Sequence, residues 1–154
     1  MIDISATYTN PIDISLNFEY LIKRTINPNT DREELTISKK IRTISSGAAN
    51  GAYHGWSVYC STKSAVDSMT KVIGVEQISA KNPVHALASY PGVVDTDMQS
   101  KIRNSSSESF SNVERFIAMK ENNELASPDS VAQLIYEIDT DNSISNGEIV
   151  DVRK

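Results

Sequence analysis

The stretch SSGAANGAYHGWSVYCSTK, Ser45 to Lys63, sets two hydroxyls, a phenol and an ammonium group around a glycine-studded segment. If Tyr59 and Lys63 lie on a helix they stand at i and i+4, project from one face and approach each other. An unperturbed tyrosine titrates at about 10, so acid–base work near neutrality needs its phenolate stabilised by roughly 3 units, about 4 kcal/mol. A neighbouring ammonium provides that stabilisation. The Ser46 hydroxyl can hydrogen-bond a carbonyl oxygen as negative charge develops on it. Tyrosine and lysine four apart are also common on helices that do no chemistry, so the pair needs a fold to converge on.

The flanking residues predict that fold. Ile12, Leu16, Tyr20 and Leu21 share one helical face, which predicts a helix over 12 to 24, and Asn27-Pro28-Asn29 marks a turn. IRTISS reads as a strand ending at Ser46, followed by an irregular glycine-bearing loop over 47 to 56. From Ser57 to about Ser79, Val58, Ala65, Val66, Met69, Val72, Ile73 and Ile78 recur at three- and four-residue steps. They predict the longest helix, capped by Ser57. VHALASY leads to Pro91-Gly92 as a second strand; helical turns follow near Val113, Phe116 and Met119; Pro128 opens another helix that runs to about Ile138; GEIVDV is a third strand. Strands alternating with helices predict an α/β fold with a small parallel sheet and right-handed crossovers. Active groups in such sheets gather at the carboxyl ends of the strands, where Ser46, Tyr59 and Lys63 would meet.

Composition narrows the class. The chain of 154 residues fits one domain, 1–154, with 39% hydrophobic and 23% charged residues. No run reaches the ~20 apolar residues of a membrane span, and MIDISATYTN has no signal-peptide pattern, so a cytoplasmic protein is expected. The lone cysteine, Cys60, suits a reducing compartment and reads as a small packed residue. A net charge of −5 argues against nucleic acid, with Lys39, Lys40 and Arg42 read as the solvated lead into a strand. No metal site is expected: His54 and His85 are isolated, and DTDNSISNGE fails the calcium-loop pattern because Ile144 stands where that loop needs glycine.

The opening segment resembles the active-site stretch of the short-chain dehydrogenase/reductase family, a Ser-Ser strand end, a glycine-bearing loop and Tyr-x-x-x-Lys opening a long helix, with Ser46 at the usual separation from Tyr59. PGVVDTDM at 91 to 98 is similar to the family's Pro-Gly-x-Val-x-Thr loop. Together the two motifs look most like the benzil reductase and sepiapterin reductase-like branch, which reduces diketones and related carbonyls. The resemblance implies a Rossmann-like three-layer fold, NADP or NAD as cofactor and a small carbonyl substrate. It implies Tyr59 as general acid, Lys63 as the group that lowers its pKa and holds the cofactor ribose, and Ser46 as the residue orienting the carbonyl. Pro91, Gly92, Val94 and Thr96 would wall the nicotinamide, and Trp56 would border the substrate or simply cover the loop.

The resemblance covers only the family's C-terminal part. No glycine precedes Gly47, so the Gly-x-x-x-Gly-x-Gly turn that receives the pyrophosphate is missing, as is the Asn-Asn-Ala-Gly strand. A truncated Rossmann-like sheet is therefore expected, with one bare edge at the strand entering Ser46 unless residues 1 to 24 cover it. Thr7 stands where the family has a catalytic asparagine, and Thr43 replaces the asparagine usual before Ile-Ser-Ser. Two functions follow: a carbonyl reductase impaired by the missing segment, or a non-catalytic module that associates through helix 57–79. A homodimer or a complementing chain is the expected partner.

Overall fold

The computed structural model describes Leu16–Asn27 and residues 32–154, with side chains from Lys39 onward. Segment 7 to 12 with Thr7, and Pro28-Asn29 of the expected turn, lie outside the described residues. A four-stranded sheet has the order β1-β2-β3-β4. Strand β1 (Leu16–Asn27) runs antiparallel to β2 (Arg32–Ile44). Strands β2, β3 (Val84–Tyr90) and β4 (Glu148–Asp151) are mutually parallel. Helix α1 (Ser57–Glu76) makes the crossover from β2 to β3, whereas α2 (Asp97–Arg103), α3 (Val113–Glu121) and α4 (Pro128–Thr140) fill the connection from β3 to β4. The result is a three-layer α/β fold around a small parallel sheet. Ala86, Leu87, Ala88 and Ser89 of β3 are buried in succession, as a strand covered on both faces requires.

Of the helix expected over 12 to 24, residues 12 to 15 lie outside the described residues, and residues 16 to 24 are instead part of β1. Its sequence, LNFEYLIKRTIN, serves two periods: Leu16, Tyr20 and Leu21 suit a helix, while Phe18, Tyr20, Ile22 and Ile26 recur at even positions and suit a strand. Pairing with β2, from Leu16 opposite Thr43 to Asn27 opposite Arg32, decides the matter, because it satisfies the ladder of an otherwise unpaired strand. The β2 edge, expected to be bare unless residues 1 to 24 covered it, is covered by β1.

The long helix also differs from expectation in its start. Trp56, not Ser57, holds the cap position, and no side chain closes the cap. Its buried residues are Lys63, Val66, Asp67, Thr70 and Gly74, whereas Val58, Val72, Val75 and Ile78 are exposed. The inward face is polar because it bonds to the sheet. Ser45 Oγ donates to Lys63 O (3.3 Å), the buried Thr43 and Thr70 hydroxyls meet at 3.4 Å, and Tyr90 OH donates to Asp67 Oδ2. Burial, with the Asp67 carboxylate at its hydroxyl, pushes Tyr90 up to about 12.

Lys40 and Arg42 are likewise not a solvated lead. Both pair with Asp139 near the end of α4, the lysine at 3.0 Å, and Arg42 Nη1 donates to His85 O at 2.7 Å. Burial opposes ionisation of Asp139, but the two cations hold it below the ordinary carboxylate value. At the far end of the chain Ser127 caps α4 by accepting from Ser130 N, with Pro128 in the first turn as expected.

Gly74 marks the closest approach of helix and sheet. A Cβ there would lie 2.6 Å from Gly147 Cα and 2.7 Å from Asn146 O. Helix propensity favours alanine over glycine by about 1 kcal/mol, but overpacking against backbone costs about 1–3 kcal/mol. We therefore expect Gly74→Ala to lower the thermal unfolding midpoint despite its better propensity; a raised midpoint would show that β4 and its leading turn yield freely.

Candidate active site

Strand β2 ends at Ile44, and Ser45 continues its path by donating its N–H to Ser89 O (2.9 Å). Ser46 then turns the chain, capping the 3-10 turn Gly47–Asn50 by accepting from Ala48 N at 3.2 Å. With the Ser46 oxygen accepting, its proton is left to donate. Tyr59 and Lys63 occupy the first two turns of α1, and the Ser64 hydroxyl fixes that end by donating to Ala49 O at 2.6 Å.

Ser46, Tyr59 and Lys63 line one cleft of about 540 Å³ at the carboxyl ends of the strands. The Ser46 side chain lies close enough to the Tyr59 phenol to lower its pKa, and Lys63 Nζ lies 5.7 Å from the centre of the Tyr59 ring while donating to Ile44 O at 2.8 Å. Pro91, Gly92, Val94 and Thr96 form another part of the wall, so the residues expected at the catalytic and nicotinamide positions line the same cleft. Gly92 has φ 78°, a turn conformation natural to glycine, and Arg153 packs against it: a Cβ at Gly92 would meet Arg153 Cδ at 2.8 Å. Asp151 holds that arginine through contacts of 2.8 and 2.5 Å, and the pairing lowers Asp151 to about 2. The loop is pinned from its other side by Asp95 N–H to Ala126 O (2.9 Å) and Ala126 N–H to Val93 O (3.1 Å).

Trp56 lines the cleft and also covers the core beneath it. Its ring stacks on Phe110 with centroids 4.4 Å apart and meets the Tyr59 ring edge-on at 5.2 Å. Of the two meanings open in the sequence, these contacts show the packed cover, and the place in the cleft is compatible with a substrate border.

Tyr59 departs from expectation in its titration. Its pKa is raised: burial is the largest cause, the Ser46 hydrogen bond lowers it, and Cys60 adds to the rise. The ammonium of Lys63 stands off the ring and is engaged with a carbonyl oxygen, so desolvation prevails over charge in this arrangement. The phenol is thus a proton donor across the neutral range.

Sequence reasoning missed Ser45, Tyr53, Met98, Gln99, Arg115 and Arg153, which also line the cleft. Gln99 had a weak signal, one helical turn after Thr96. Arg115 had none, since it arrives from α3, far along the chain. Among the described residues no group of acidic, histidine or cysteine side chains could hold a metal, and no helix is long and apolar enough to cross a membrane.

The model of the short chain dehydrogenase family matches residues 36–107. Benzil reductase ((S)-benzoin forming) of Bacillus cereus is 36% identical over 146 residues, covering 95% of this chain and 58% of that protein. Its counterpart from Bacillus subtilis (strain 168) is 40% identical over 116 residues, 75% of this chain and 47% of that one. The crystal structure of the KRED1-Pglu enzyme superposes with a TM-score of 0.61 at 30% identity, over 71% of this chain and 45% of that chain. The fold is therefore that of the short-chain dehydrogenases/reductases, and benzil reductases are among the relatives. The chain spans about half the length of the curated relatives it matches.

The cleft suits the nicotinamide end of a cofactor. Gln99 Oε1 is buried with no partner among the described residues, and it lines the cleft together with Val94 and Thr96. An amide N–H of the ligand would satisfy it. The Thr96 hydroxyl leaves the α2 cap open and makes only a long contact with Val94 O, 3.4 Å, so it too can turn to a ligand.

The raised pKa gives a direct test. The Tyr59 phenol should keep its proton to a higher pH than an ordinary tyrosine, and Ser46→Ala, which removes the lowering hydrogen bond, should move the midpoint further up. An NMR titration of ring-labelled tyrosine, with Tyr59→Phe to assign the signal, reads both shifts; a downward move in Ser46→Ala would contradict the arrangement.

Proposed function

We propose that the chain carries the catalytic half-site of a short-chain carbonyl reductase of the diketone-reducing kind. The observation that supports this reading most is that Ser46, Tyr59 and Lys63 line one cleft, walled by the 91 to 96 loop, with Lys63 Nζ 5.7 Å from the Tyr59 ring centre. NADP or NAD, when bound, would supply hydride to the carbonyl carbon. Tyr59, Lys63, Pro91, Gly92, Val94 and Thr96 would hold its nicotinamide end. Ser46 donates a hydrogen bond to the substrate carbonyl oxygen and orients it. Tyr59 gives its phenolic proton to that oxygen as it becomes an alkoxide, leaving an alcohol. Lys63 then faces the phenolate with its positive charge.

These 154 residues contain no glycine before Gly47, hence no glycine-rich turn for a pyrophosphate. Loss of about 4 kcal/mol of cofactor binding weakens affinity about a thousandfold. We expect the isolated polypeptide to show no appreciable NADPH- or NADH-dependent reduction of benzil. A second chain supplying the glycine-rich half should restore turnover, and Tyr59→Phe should then cut it by about 10²–10⁴. Robust turnover by the isolated chain would overturn the half-site reading, and restored turnover indifferent to Tyr59→Phe would overturn the acid role.

The second reading, association through α1 with a second copy or a complementing chain, is favoured by one observation. Val58, Val72 and Val75 are 60%, 51% and 68% exposed on a helix whose polar side faces inward. Sedimentation equilibrium should show a dimer that Val72→Asp weakens; a monomer at every concentration would remove this reading.

A further inference from the structure

The net charge of the protein is −5, yet the charged residues that line the cleft are Lys63, Arg115 and Arg153, all cationic. Their engagements differ. Lys63 is buried and donates to Ile44 O, and Arg153 is paired with Asp151. Arg115 makes no side-chain hydrogen bond or ion pair among the described residues, and its side chain is exposed to solvent at the mouth of the cleft. It also sits in the first turn of α3, where the helix dipole disfavours a cation, so helix stability does not explain it. Its neighbours on that wall are apolar: Phe116, Met98 and the Trp56 ring.

Resting on the reductase reading above, we infer that Arg115 is a specificity-determining residue that selects carbonyl substrates bearing a carboxylate beside an aromatic or apolar body. The guanidinium offers a forked pair of N–H donors that matches a carboxylate, and the aromatic wall receives the remainder of the molecule. Benzil, the substrate in the names of the relatives, is neutral and would leave Arg115 unused. A 2-oxo acid such as phenylglyoxylate presents the ketone to Ser46 and Tyr59 and the carboxylate to Arg115. A phosphate of the cofactor is the other anion that could use the same donors.

Trp56 is the sole tryptophan and lines the cleft, so its fluorescence reports binding without turnover. Phenylglyoxylate, its neutral methyl ester and nicotinamide mononucleotide would each be titrated into the 154-residue chain and its Arg115→Gln variant. Arg115 is exposed, and circular dichroism checks that the variant keeps the fold. We expect phenylglyoxylate to bind more tightly than the ester, and Arg115→Gln to weaken the acid about tenfold while leaving the ester within about twofold. Arg115→Lys should recover part of the loss, as a point charge without the fork. Equal binding of acid and ester, no saturable binding of the acid, or a loss confined to nicotinamide mononucleotide would overturn the assignment. In the complemented enzyme, the acid-to-ester ratio of kcat/KM should fall in Arg115→Gln. Absent benzil turnover would speak against the reductase reading alone, because the binding comparison needs no chemistry.

Discussion

The join between the end of β2 and the start of α1 governs the site. Lys63 Nζ donates to Ile44 O and Ser45 Oγ donates to Lys63 O, so one buried lysine is held to the strand through both its side chain and its carbonyl. A buried ammonium is costly unless its protons are engaged, and a strand end supplies the carbonyl oxygens that engage them. Satisfying Lys63 therefore fixes how far α1 stands from β2. Tyr59, one turn earlier on the same face, is then brought against Ser46. The chemistry and the packing share one set of bonds.

This accounts for the unusual faces of α1. A helix on a sheet ordinarily buries its apolar stripe, but here Lys63, Asp67 and Thr70 face inward and several valines face out. Each inward polar group has a partner at a strand: Ile44 O for Lys63, Tyr90 for Asp67, Thr43 for Thr70. Gly74 completes the inward face by letting helix and sheet backbones touch near Gly147. Threonine at position 43, where the resembled family has asparagine, fits that scheme because a hydroxyl reaches Thr70 and Leu87 O within the buried layer.

What could be read from the sequence follows how local each signal is. Ser46, Tyr59 and Lys63 lie within one strand–loop–helix segment, and β3, with bounds Val84–Tyr90, appears as an uninterrupted run between breakers. The α4 start was equally legible, because Ser127 and Pro128 act within one turn. Where two periods competed, as in LNFEYLIKRTIN, the outcome rested on pairing with a distant strand and periodicity misled. The apolar steps of α1 marked a helix but not its inner face, since polar partners on β2 and β3 decide which side turns in. Arg115 and Arg153 reach the cleft through tertiary placement alone. Their charges are visible in the sequence, but their convergence is not.

The burial that raises Tyr59 also bears on what the site can do. An acid with a raised pKa holds its proton tightly, so it transfers it only to an oxygen that has become strongly basic, as a carbonyl oxygen does on turning into an alkoxide. The reverse direction needs the phenolate, which burial disfavours and which the Ser46 hydrogen bond alone among the named contributions favours. On the proposed reading the tyrosine would therefore suit protonation of a reduced carbonyl better than deprotonation of an alcohol near neutrality. Positive charge brought closer to the phenol would shift that balance, and the ammonium of Lys63 lies 5.7 Å from the ring centre. Its tie to Ile44 O opposes that movement, so the bond that joins α1 to β2 also holds the ammonium in its place.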